Sequence, residues 1–206
     1  MRRVLTLVSW SAALPFAHLV ESVGFASELV DPLDLGPSVL ERGGFDVVFV
    51  GGHPSSPLSP ERSWGQAIRD FVLAGGGFVG CRAATEWFED WVEWQHFLGV
   101  RLVESRVLVD LTGRPIDAAP VTFAGRAHPV VAGLETVLDL TDRLPRVGAD
   151  PGTDVLACSG EDVVVWSAQR GAGRIVVDTL AYDAASLTLP ANETILQRAL
   201  RWVGES

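Results

Sequence analysis

Cysteine is scarce in this 206-residue chain: there are two, Cys81 and Cys158, with no regular spacing. That excludes a disulfide framework and a cysteine-based zinc motif, and it fits a reducing cytoplasm, the expected location. Lysine is absent, so all sixteen basic residues are arginines, scattered without a cluster. With a net charge of −10, such a surface repels phosphate backbones, and no nucleic-acid partner is expected. No apolar run approaches the roughly twenty residues that span a bilayer, so no membrane partner is expected either. Histidine numbers only four, His18, His53, His96 and His128, and none stands in a motif that pairs it with a nucleophile. No metal and no cofactor are expected.

What is present is an ordinary globular composition, 48% hydrophobic and 20% charged, which separates the chain from disordered sequences. Residues 1–206 read as a single domain without a linker or an internal repeat, and a domain of this length buries roughly 70% of its unfolded surface. The N-terminus imitates a secretory signal, with Arg2-Arg3 ahead of an apolar stretch over residues 4–17 and small residues at Ser11-Ala12-Ala13. Cleavage there would remove residues 4–8, which the sheet needs as its first strand, so this segment is expected to be retained as structure.

Two short apolar runs carry the strongest signal. Residues 45–50 end in Gly51-Gly52-His53-Pro54, and after a helix-length segment the chain reads Gly75-Gly76-Gly77-Phe78-Val79-Gly80-Cys81-Arg82-Ala83-Ala84. Such runs predict buried parallel strands whose carboxyl ends face one crevice, where α/β sheets bind ligands. The second run has the shape of a strand-to-helix elbow, with Arg82 in the slot where such elbows hold a nucleophile and Cys81 one residue early. Alternation along a strand then turns Cys81 into the packed core. The sharper alternative, a cysteine nucleophile, needs a histidine partner.

Elsewhere, strands are predicted at 4–9, 25–30, 100–109, 121–124, 136–140, 154–157, 163–167 and 174–179. Helices are predicted at 15–23, 37–42, 61–74 and 192–203. Trp87, Trp91, Trp94 and Leu98 recur at helical spacing, with Glu86, Glu89, Asp90 and Glu93 opposite. A core stripe is one reading; stacking of Trp87 on a sugar ring is the other.

These motifs resemble the trehalose-utilisation (ThuA-like) family. Residues 75–80 and Ala83-Ala84 match the family elbow Gly-Gly-Gly-Phe-Val-Gly-Ile-His-Ala-Ala. Ala127-His128-Pro129-Val130-Val131-Ala132-Gly133-Leu134 is similar to its His-Pro segment, and Val165-Trp166 with residues 171–180 to its paired tryptophan strand. The resemblance implies a flavodoxin-like or class I glutamine amidotransferase-like three-layer α/β sandwich, with a mostly parallel sheet and an antiparallel β extension. It also implies a protein that acts on or binds a carbohydrate, with a small-molecule ligand, a sugar, as partner; homo-oligomerisation stays open. A non-catalytic binding or assembly module is the second reading, and a cysteine-dependent amidotransferase or peptidase the third.

The departures remove proton carriers. Arg82 stands where the family has histidine, Leu180-Ala181-Tyr182 where it often has Leu-Gly-His, and Glu104-Ser105 where it has another His-Pro. Arginine stays cationic and is not a base. Arg82 is therefore expected either to recognise an anion or polyhydroxyl ligand at a helix N-terminus or to be held as a prop by Glu86, four residues on. Gly51 and Gly52 resemble the loop whose amides bind the oxyanion in amidotransferases, so their N–H groups are candidates for a substrate oxygen. His53 is the general-base candidate, against a solvated loop histidine. Tyr182 and Asp183 are expected to reach the crevice.

Overall fold

A computed structural model describes residues 1–9, 13–52, 60–88, 90–104, 120–124, 127–134, 137–138, 146–181 and 183–205. The predicted strands at 100–109 and 136–140 lie partly outside these, and His53, Glu89, Ser105 and Tyr182 lie wholly outside.

Five strands pair in parallel: β1 (Arg3–Leu7), β2 (Ala26–Val30), β3 (Val47–Val50), β4 (Gly77–Cys81) and β11 (Gly173–Asp178), in the spatial order β2-β1-β3-β4-β11. The sheet continues antiparallel through β10 (Asp162–Arg170), β9 (Asp154–Ser159), β6 (Val121–Phe123) and β7 (Val137–Leu138). β1, β3 and β4 are buried on both faces, which is why they read as unbroken apolar runs. β1 lies inside the sheet, as expected from residues 4–9, with β2 on one side and β3 on the other.

Two helical layers cover the sheet. One face packs on α1 (Ala13–Ser22), α6 (Ala184–Leu187) and α7 (Pro190–Gly204), around Phe16, Val79, Val176 and Leu196. The other packs on α2 (Ser38–Glu41), α3 (Arg62–Leu73), α4 (Arg82–Glu86) and α5 (Val92–Leu98), around Trp64, Phe78, Trp94 and Trp166. This is the three-layer sandwich with a mostly parallel sheet and an antiparallel extension. No helix among the described residues is long and apolar enough to cross a membrane.

Three elements depart from the sequence reading. The tryptophan helix is broken: α4 ends at Glu86, Trp91 is extended (φ −108°, ψ 95°), and α5 starts afresh at Val92. Burial drives the break, because it lets Trp94 turn back and donate its indole N–H to the Ala84 carbonyl (2.8 Å) while its ring meets Phe78, Phe88 and Trp91. β8 (Arg146–Ala149), paired antiparallel with β5 (Val100–Glu104), and the short α6 carried no usable periodicity.

Candidate functional site

The parallel strands β1, β3, β4 and β11 release their chains at one edge of the sheet, and the order reverses between β1 and β3. Crevices at such a switch point are where doubly wound sheets hold ligands. Gly51 follows β3, Arg82 follows β4, and Leu180-Ala181 follows β11, so adjacency of the three strands brings these segments together. The contact is direct between two of them: the Arg82 amide donates to the Ala181 carbonyl at 3.3 Å.

The elbow is tight because its small residues allow it. A Cβ on Gly80 would lie 2.7 Å from that of Ala84, so the first turn of α4 packs on the strand it leaves. Cys81, as expected from the register, faces the α1 and α7 layer and is fully buried. Burial pushes its thiol well above the usual range, and Asp178 beside it adds to the effect. A neutral buried thiol is a poor nucleophile.

Arg82 opens α4, and its Nε donates to Glu86 Oε1 at 2.7 Å, with side chains 15% and 30% exposed. The prop predicted from the four-residue spacing is present. Because α4 has only five residues, its dipole adds little to anion binding, and the ion pair dominates the elbow.

Several expected contributions fall elsewhere. The Gly51 amide donates to the Leu7 carbonyl (3.0 Å), extending the β1–β3 ladder, and is therefore spent on the sheet rather than on a substrate oxygen. Gly51 is glycine for a packing reason: a Cβ there would sit 2.3 Å from the Phe16 ring. Gly52 is buried with φ +87° at the crevice. Trp87 is buried and meets Phe88 edge to face, so its ring belongs to the core and not to a stacking platform. Asp183 caps α6, accepting from the Ser186 amide (2.7 Å) while the Ser186 hydroxyl accepts from the Asp183 amide (3.0 Å). His128 lies in a turn on the far side of β10, its Nδ1 accepting from Val130 N–H and its Nε2 3.3 Å from the Ser167 hydroxyl. Burial lowers its pKa against the pull of Asp154. Exposed His96 pairs with Asp150 at 2.6 Å.

One residue of the neighbourhood escaped the sequence reading. Asp178, the last of β11, is directly across from Cys81, fully buried, and accepts the Leu180 amide at 2.9 Å. Burial pushes its carboxyl up to about 7, although the Leu180 and Ala181 amides pull the other way. A lone acid inside the apolar run Ile175-Val176-Val177-Asp178-Thr179-Leu180 was the available signal. By accepting the Leu180 amide it shapes the turn that receives Arg82. Among the described residues no three His, Cys, Asp or Glu side chains gather into a metal-ligating set. A pocket of about 320 Å³ lies at the opposite edge of the sheet, between Phe45, Asp46, Phe71 and Gly204.

The family model for trehalose utilisation, ThuA, matches residues 38–203, which include the elbow, the His-Pro turn and the last strand. The chain belongs to the ThuA family. Among solved structures, the ThuA-family chain is similar to a cytoplasmic protein from Salmonella typhimurium LT2 (12% identity, TM-score 0.73, covering 98% of this chain and 99% of that one). It is also similar to a protein described as ThuA-like from Bacteroides uniformis (16%, TM-score 0.63, 98% and 91%). A third likeness is to the cold-adapted β-galactosidase of Rahnella sp. R3 (14%, TM-score 0.66), of which the match covers only 31% while covering 98% of this chain. At these identities the likeness shows the fold alone. Among curated proteins no relative matches.

Proposed function

We propose that this ThuA-family protein binds a small carbohydrate, of the disaccharide type that trehalose utilisation implies, in the crevice at the carboxyl edge of its sheet. The observation that carries the reading is the Arg82–Glu86 pair, partly exposed on the elbow within the family match. A guanidinium donates and a carboxylate accepts, so the pair offers both halves of the hydrogen bonding that a vicinal diol requires. Glu86 and Arg82 form the floor, and Gly52 the rim. Where chemistry follows binding, His53, next to Gly52 in the sequence, is the general-base candidate and Arg82 steadies the developing charge; Tyr182 is the remaining hydrogen-bonding candidate. The cytoplasm suits such a protein, as in the Salmonella protein named for it.

A non-catalytic binding or assembly module is the second reading. It is favoured by the β-galactosidase, where a fold of this kind makes up about a third of a larger chain. The buried, raised thiol of Cys81 speaks against an amidotransferase.

Calorimetric titration with trehalose tests the proposal. Wild-type protein is expected to bind, and Arg82→Ala to weaken binding by about 1.5–3 kcal/mol, the scale of a charge-assisted hydrogen bond. Unchanged affinity in Arg82→Ala removes the elbow from the site. Chromatography of the sugar after incubation separates the two readings: altered sugar means an enzyme, unaltered sugar a binding module.

A further inference from the structure

The carboxyl edge of the sheet is acidic. Asp31 and Asp34 follow β2, Glu61 precedes α3, Glu86 lies in α4, and Asp183 precedes α6. Among the described residues two arginines answer them, and each is already in an ion pair: Arg62 with Asp90 at 2.9 Å and Arg82 with Glu86 at 2.7 Å. The whole chain adds a net charge of −10. An arginine on a strand-to-helix elbow would, standing alone, draw phosphate or carboxylate. Here its charge is cancelled at the nearest atom.

We propose that Glu86 is the residue that sets the charge selectivity of this crevice: by pairing with Arg82 it turns an anion-attracting elbow into one that accepts uncharged polyols and rejects phosphorylated or acidic sugars. The inference rests on the carbohydrate reading above and adds to it the class of sugar and the residue responsible. Three features carry it. The pair is at 2.7 Å with side chains only 15% and 30% exposed, the five-residue α4 has too little dipole to restore anion affinity, and the surrounding edge repels anions in its own right. Selectivity thus comes from a repulsive element as much as from contacts with the accepted ligand.

The experiment titrates the full chain with trehalose and with trehalose 6-phosphate at low ionic strength, in wild type, Glu86→Gln and the double variant Arg82→Gln/Glu86→Gln. Wild type is expected to prefer the neutral sugar by roughly fivefold or more, the scale of a partly exposed charge interaction. Glu86→Gln should shift the ratio toward the phosphorylated sugar by about fivefold, and the shift should shrink in added salt. The double variant should return the ratio toward the neutral sugar, which shows that the freed Arg82 charge, not a disturbed fold, caused the change. A wild type that prefers the phosphorylated sugar, or a Glu86→Gln variant with an unchanged ratio, overturns the inference and leaves the carbohydrate reading standing. Binding of neither sugar overturns both.

Discussion

Asp178 offers the sharpest test of the physical account of this core. Its carboxyl is fully buried, one oxygen accepts the Leu180 amide and the other has no partner. Burial raises the carboxyl from its ordinary 3.8 to about 7. The native state therefore holds this proton more tightly than the unfolded chain does. Its contribution is fully present below about pH 4 and is lost as pH rises through about 7. At about 1.4 kcal/mol per pH unit of difference, the loss reaches at most about 4 kcal/mol by pH 8. Asp178→Asn keeps an acceptor for Leu180 and removes the titration. The new amide N–H adds a cost that does not depend on pH, so the informative quantity is how the stability difference between the two proteins changes with pH. Denaturant unfolding at half-unit steps from pH 4 to pH 8 measures it, and groups common to both proteins cancel. The variant is expected to gain on the wild type by roughly 2–4 kcal/mol between the two extremes, most of it between pH 5 and 8. Stability curves that stay parallel within about 1 kcal/mol would refute the reasoning, since a carboxyl that titrates normally cannot be desolvated as the geometry requires.

Two further outcomes are expected. Iodoacetamide at neutral pH should leave Cys81 unlabelled in the native protein while it labels the unfolded one, because the buried thiol is held neutral; rapid stoichiometric labelling of Cys81, read by peptide mass spectrometry, contradicts this. Gly51→Ala should destabilise by about 1–3 kcal/mol through overpacking against Phe16, and Phe16→Leu in the same chain should recover part of the loss; additive losses in thermal melts would show that the two sites do not touch.

Strands β1, β3 and β4 were legible because each is buried on both faces and so reads as an apolar run, from residues 4–8 to Val79. The elbow was legible for a related reason: Gly80 and Ala84 are small where strand and helix must touch, and strict alternation along β4 placed Cys81 in the core one residue before Arg82. The Arg82–Glu86 pair followed from four-residue spacing in a single turn. These features depend on neighbours within a few residues, which the order of amino acids specifies directly. Others depended on pairing between distant segments. The β4–β11 register put Asp178 beside Cys81 and raised its carboxyl, and the β1–β3 ladder claimed the Gly51 amide. Packing of Trp94 against Ala84 and Phe78 broke a helix that periodicity alone would have continued past Trp87. Local sequence sets a side chain's direction, but which group lies opposite it, and whether water still reaches it, is decided only when the strands and helical layers close around it.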